Sequence, residues 1–292
     1  LQSVSGTVNN IYLGQMLGVK AMAAVSAFFP VLFFLIAFMI GLGSGASVLI
    51  GQAWGARGLD RVKAIAGTTL MTGLIAGLAV AVFGGSFADM MLVALGTPAD
   101  ILPGATAYAR IMLIAAPGVF TFLLVTSMLR GVGDTRTPLL TLLISTAVGL
   151  LLTPALIRGW LGLPMMGVTS GAWAAVASYL IALAWTARHL LRQGRALAPD
   201  AAFRRHLRID RALLAKVLRI GLPTGLSMMT IAIAEISVLF LVNRFGSQAT
   251  AAYGAVNQIV SYVQFPAISI AITASILGAH AIGAGRTHTL GA

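Results

Sequence analysis

A chain of 292 residues with 59% hydrophobic and only 9% charged residues is not built to meet water over its whole surface, since a soluble domain carries about 25% charged residues. Its formal net charge of +12 does not indicate nucleic-acid binding, because the basic residues stand in short stretches between apolar runs with no soluble domain to carry them. The absence of cysteine excludes disulfides and thiolate metal sites.

In chain order, residues 1–13 (LQSVSGTVNNIYL) read as the tail of a membrane span whose beginning is absent. Full spans follow at 22–51, 64–86, 107–128, 138–157, 165–187, 220–243 and 250–283. Each approaches or exceeds the roughly 20 apolar residues needed to cross a bilayer. The expected fold class is an all-α integral membrane protein. Its organisation reads as an N-terminal lobe of six spans over 1–187, the first truncated, a basic linker over 188–219, and the start of a second lobe over 220–292.

Lys and Arg collect on one side of this alternating path. That side holds Arg57, Arg61, Lys63, Arg130, Arg136, Arg188, Arg192, Arg195, Arg204, Arg205, Arg208, Arg211, Lys216, Arg219 and Arg286. The other holds Lys20, Arg110, Arg158 and Arg244. The richer side is therefore read as cytoplasmic. Trp54 and Trp185 mark span ends on that side and Trp160 one on the other, while Trp173 reads as packing within its span. In the linker, Asp210 can cap a short helix with Leu213, Leu214, Val217 and Leu218 on one face and Arg211, Lys216 and Arg219 on another. Such a helix would lie at the membrane interface. It would bind lipid headgroups or a partner, or simply carry positive-inside charge.

Shifting the chain by 228 residues aligns 18–56 with 246–284 without a gap, with identities at 12 of 39 positions. They include Gly18/Gly246, Ala24/Ala252, Ser47/Ser275, Gly55/Gly283 and Ala56/Ala284. Six span starts separate the copies, so both cross the membrane in the same direction. Parallel repeats related by an axis along the membrane normal are a transporter design, with two lobes rocking about a central site.

Between two spans stands LRGVGDTRTP (129–138). Gly131 and Gly133 suit a tight turn, and Thr137 can cap the next helix with Pro138 at its first position. This string resembles the loop signature of the multidrug and toxic compound extrusion (MATE) family, through Arg130, Gly131, Gly133, Asp134, Thr135, Arg136 and Pro138. GLGSGASVLIGQAWGAR (41–57), LGVKAMAAVS (17–26), YARIMLIAAPG (108–118) and LRIGLP (218–223) resemble other segments of that family in the right order. The resemblance implies two six-helix lobes forming a V around a substrate cavity, with helices nine to twelve lying outside this chain.

One acid lies within an apolar span, Glu235. A carboxylate at mid-membrane is costly and usually serves a cavity. Glu235 is thus a candidate for binding H⁺, Na⁺ or a cationic substrate, against the plainer reading of a residue reaching the interface. The family resemblance implies an Asp just before Ile11-Tyr12-Leu13-Gly14, where this chain has Asn9 with Asn10 beside it. An amide carries no proton but can ligate Na⁺ or a substrate. Asn257 and Gln258 complete the candidates; as with Ser47, Gln52 and Ser178, interhelical hydrogen bonding is the alternative.

These residues imply a secondary antiporter, not an enzyme, exporting amphipathic or cationic compounds in exchange for H⁺ or Na⁺. It would be a monomer in the inner (plasma) membrane, with no nucleic-acid partner, metal site or cofactor beyond the coupling ion. A related flippase for lipid-linked saccharides is the alternative. A membrane enzyme would need more acids or histidines at depth, and a channel leaves the parallel repeat unexplained.

Overall fold

The computed structural model describes residues 12, 15–160, 164–243 and 247–286, and these build helices and connecting turns. Helix α1 (Val19–Gly55) has 37 residues, about 55 Å at 1.5 Å per residue, so it projects well past a bilayer core of roughly 30 Å. Helix α2 (Leu59–Ala79) passes through a π-helical turn (Val80–Gly84) into α3 (Gly85–Ala94). Helices α4 (Leu102–Ile114) and α5 (Ala116–Gly131) follow, then α6 (Arg136–Arg158), a 3₁₀ turn (Gly167–Thr169) and α7 (Ser170–Gln193). A short α8 (Ala201–Arg205) lies in the linker before α9 (Arg211–Asn243) and α10 (Ser247–Gly283). Among the described residues six helices are long and apolar enough to cross a membrane, or seven if α4 and α5 form one broken span.

The break between α4 and α5 departs from the single span expected over 107–128. The two helices meet at 55° because Pro117 has no N–H for the carbonyl of Leu113 and its ring crowds that turn. Gly77 of α2 packs into the elbow: a Cβ there would stand 2.6 Å from Pro117 Cα. Lipid tails are as apolar as leucine, so burial alone drives little helix association in a membrane, and close packing by small residues takes over. The core accordingly centres on α1 with α2 and α5 around Met39, Ile50, Leu124 and Met128. A second cluster joins α1, α3, α4 and α7 around Phe28, Leu92 and Tyr108. The Phe28 and Tyr108 rings meet edge-on at 6.1 Å. Helices α6 and α7 are joined by buried hydroxyls of Thr141 and Thr186, 2.7 Å apart.

Three local expectations are corrected. Asp134, not Thr137, caps α6: its carboxylate accepts the Thr137 N–H at 3.0 Å and the Thr137 hydroxyl at 2.6 Å. A carboxylate presents acceptors only, so it takes the cap while the threonine donates. Nor is there a separate interfacial helix at 211–219, because these residues run unbroken into α9. Asp210 does cap it, accepting from the N–H groups of Ala212 and Leu213 at 2.8 and 3.1 Å. The apolar face is present, with Val217 fully buried, but it packs on α1 because Gly45 has no Cβ to collide with the Val217 carbonyl. Trp173, expected to pack, is 45% exposed.

Candidate functional site

The two repeat copies meet at the arginine-rich end of the molecule. Gly55 of α1 lies against the backbone of His280, and Gly283 of α10 lies against the backbone of Gln52. Adding 228 to 55 and 52 gives 283 and 280, so the contact is reciprocal about a local two-fold axis, as in a symmetric dimer interface. A Cβ at either glycine would collide with the opposing backbone. Farther along, α1 crosses α9 through Gly41 and Gly221, where a Cβ on one would stand 2.6 Å from the carbonyl oxygen of the other. Gly225 opposite Ala37 ends these close approaches. Beyond Gly225, α9 carries exposed Leu226, Ile231, Ile233 and Leu241, and α10 is exposed at Val263, Ile270, Ile272 and Leu277 before Ala279 becomes buried.

The loop 129–138 sits beside this junction. Gly131 ends α5 within contact of α1, and a Cβ there would stand 2.7 Å from the Ser47 carbonyl. Its own carbonyl oxygen lies 2.7 Å from Nε2 of His280, so the imidazole joins the second copy to the loop. Gly133 turns the chain at φ 80°, a left-handed conformation that favours glycine. Asp134 follows, almost buried, with Arg195 of the linker 3.6 Å away. His280 was not among the residues singled out from sequence. The signal available was its alignment with Gln52 at an otherwise similar span end.

Around the same end the linker is tied down. Lys63 at the start of α2 reaches Asp200 at 3.4 Å. The Phe203 N–H, donated to Asp200 at 2.6 Å, holds that carboxyl below the usual aspartate range, with Lys63 as a further cause. The Thr68 hydroxyl donates to the Arg208 carbonyl at 3.0 Å, and Phe203, Leu197 and Ala198 are buried in the main core. Gly67 leaves room for the His206 carbonyl.

The candidate cation- or substrate-binding residues lie elsewhere. Glu235 is exposed on α9, beyond the α1 crossing. Asn257 and Gln258 belong to α10, but their side chains fall outside the described residues, as do Asn9 and Asn10 entirely. Ser47 and Ser178 are buried, and the Ser178 hydroxyl donates back to the Ala174 carbonyl of its own helix. The structure thus brings the loop motif, His280 and the linker together, and leaves Glu235 apart from them.

A family model described as MatE matches residues 1–155 and 223–292. The chain is 44% identical over 284 residues to a probable multidrug resistance protein, YoeA, of Bacillus subtilis strain 168, covering 97% of this chain and 61% of that protein. To a second probable multidrug resistance protein of that organism, YpnP, it is 25% identical over 284 residues, with 96% and 61% covered. A solved outward-facing conformation of a multidrug resistance MATE family transporter superposes with a TM-score of 0.85 at 26% identity, covering 99% of this chain and 63% of that one. The chain therefore spans about three fifths of the length of the relatives it matches.

Proposed function

The chain belongs to the MatE family, and from that premise we propose that the whole protein is a secondary antiporter. It exports amphipathic or cationic compounds in exchange for H⁺ or Na⁺, and its arginine-rich end faces the cytoplasm of a bacterial-type plasma membrane. YoeA and YpnP are named as probable multidrug resistance proteins, which favours drug export over the movement of lipid-linked saccharides.

The observation that carries this reading is the reciprocal contact of Gly55 with His280 and Gly283 with Gln52. Two parallel copies touching through glycines at one end can hinge apart there, and a symmetric junction offers each lobe the same surface in the closed state. In the proposed cycle the cytoplasmic end is closed in the present arrangement and the cavity opens on the other side. Rocking parts the glycine contacts, releases His280 from Gly131, and exposes the cavity to the cytoplasm. Glu235, exposed beyond the crossing of α1 and α9, is the proposed group for the coupling ion or a cationic substrate, with Asn9, Asn10, Asn257 and Gln258 as further polar candidates.

The test is efflux of ethidium from vesicles bearing the full-length protein, with H⁺ and Na⁺ gradients imposed separately. Efflux driven by one gradient is expected, and Glu235→Gln should uncouple or abolish it. Absence of gradient-driven efflux for any cationic dye removes the antiport reading; unchanged coupling in the Gln variant removes Glu235 alone.

A further inference from the structure

The linker carries nine of the 19 Lys and Arg residues, and it carries them on a fixed backbone. Orientation depends on how many Lys and Arg lie in a short loop during insertion, not on their final geometry. Here the loop is strapped across the ends of α2 and α6. Asp200 meets Lys63 and Asp134 meets Arg195. Thr68 holds the Arg208 carbonyl at 3.0 Å and lies 3.4 Å from the Asp210 N–H. Phe203 anchors α8 in the core with 5% of its surface exposed. The anchors use the backbone, the apolar residues and the acids. They leave Arg204, Arg205, Arg208, Arg211, Lys216 and Arg219 exposed. Among the described residues none of these six makes an ion pair.

Helix α9 carries the array on toward its apolar run. Its exposed face reads Arg211, Ala215, Arg219, Leu222, Leu226, at spacings of three and four that share one side of a helix. The charge ends at Arg219, and Leu222 is 45% exposed about 4.5 Å farther along the axis. That step from guanidinium to exposed leucine is where a spanning helix leaves the headgroup layer for hydrocarbon. Arg219 is the last basic residue before that step, and the strap leads the basic array on from Arg211. Ile209, 42% exposed between Arg208 and Asp210, offers an apolar contact within the charged surface.

We propose that the strap and the first turns of α9 form a binding surface for anionic phospholipid headgroups of the membrane the chain spans. Arg204, Arg205, Arg208, Arg211 and Arg219 engage the phosphodiesters. The guanidinium fork matches two phosphate oxygens at once and is weakly hydrated, which favours arginine over lysine for this contact. Juxtamembrane basic clusters of this size recognise anionic lipid.

Native mass spectrometry of the full-length protein, released from micelles doped equally with phosphatidylglycerol and phosphatidylcholine, tests the proposal. Phosphatidylglycerol should be retained over phosphatidylcholine by roughly ten-fold or more. Changing the five arginines to Gln should bring the ratio near one; changing all five to Lys should keep part of the preference. The same number of charges cannot be removed at the opposite end, but K20Q/R110Q/R158Q there should leave the ratio as in wild type. If the Gln variant fails to insert, the wild-type ratio is followed against NaCl, and it should collapse as salt screens the surface. Equal retention of the two lipids by wild type, a salt-independent ratio, or a loss in the opposite-end variant equal to that in the strap variant would each overturn it.

Discussion

The imidazole Nε2 of His280 stands 2.7 Å from the carbonyl oxygen of Gly131 and is a polar link from α10 to the loop 129–138. Only the Nε2–H form can make this bond, since a carbonyl accepts and cannot donate. Gly131 is glycine because a Cβ would collide with α1, and its backbone carbonyl is the partner of the imidazole. Through Gly131 the loop motif thereby meets the second repeat copy.

In the proposed cycle, removing that bond should loosen the closed end without unfolding it. His280→Ala forfeits about 1 kcal/mol, which shifts the ratio of closed to open states by roughly five-fold. This chain has no cysteine, so spin labels on Ala56→Cys and Ala284→Cys, repeat counterparts lining one cleft, can report the separation. A longer or broader distance distribution in the Ala variant is expected. An unchanged distribution would show that the glycines alone hold the end closed.

The glycine contacts should be far less tolerant than glycines elsewhere. Gly283→Ala and Gly45→Ala place a methyl into the Gln52 and Val217 backbones respectively, and should cost about 1–3 kcal/mol through overpacking. Gly104 of α4 is the contrast, because a Cβ there would meet Ala24 and Val168 at an ordinary 3.7 Å. Gly104→Ala should be neutral or stabilising by up to about 1 kcal/mol from helix propensity. Thermal unfolding in detergent compares the three.

Asp134 should matter first as a helix cap. Asp134→Ala removes the acceptor for the Thr137 N–H and should cost about 1 kcal/mol. Asp134→Asn keeps one oxygen for that N–H and loses the second, which accepts the Thr137 hydroxyl and faces the half-exposed Arg195, so its loss should be smaller. Equal losses in the two variants would mean that the second carboxylate oxygen, with its Thr137 hydroxyl and Arg195 contacts, carries the effect rather than the backbone cap.

Acid should release the strap at Asp200. Its carboxyl is held below the usual range by the Phe203 N–H and Lys63. A depressed folded value contributes stability that is present above the ordinary aspartate value of about 4, and this contribution is lost as pH falls through the lower folded value. Melting curves of wild type and Asp200→Asn should therefore differ at neutral pH and converge in acid. A gap that persists at low pH would mean that the carboxylate charge is not what holds the strap.

Much of the architecture was legible because a membrane solvent leaves the chain few choices. Spans must be long, apolar and helical to satisfy every backbone group, so 22–51 or 138–157 could be placed from composition alone. The 228-residue register also gave the parallel halves. Local competition was less legible. Thr137 and Asp134 both stood where a cap is needed, and only geometry shows the carboxylate taking the Thr137 N–H at 3.0 Å. Pro117 could have been tolerated within a straight span, yet the chain bends there by 55°, with Gly77 of α2 against the elbow.

By itself, then, the sequence determined the class, the parallel repeat, the side bearing the charge and the acid at Glu235, because each depends on composition or spacing along one chain. Only the tertiary structure decided what the glycines and His280 are for. Gly55 and Gly283 are read from sequence as two more small residues near span ends. Their meaning depends on a backbone 225 or more positions away that leaves no room for a Cβ. Contact of that kind is a property of two packed surfaces, and no local pattern encodes it.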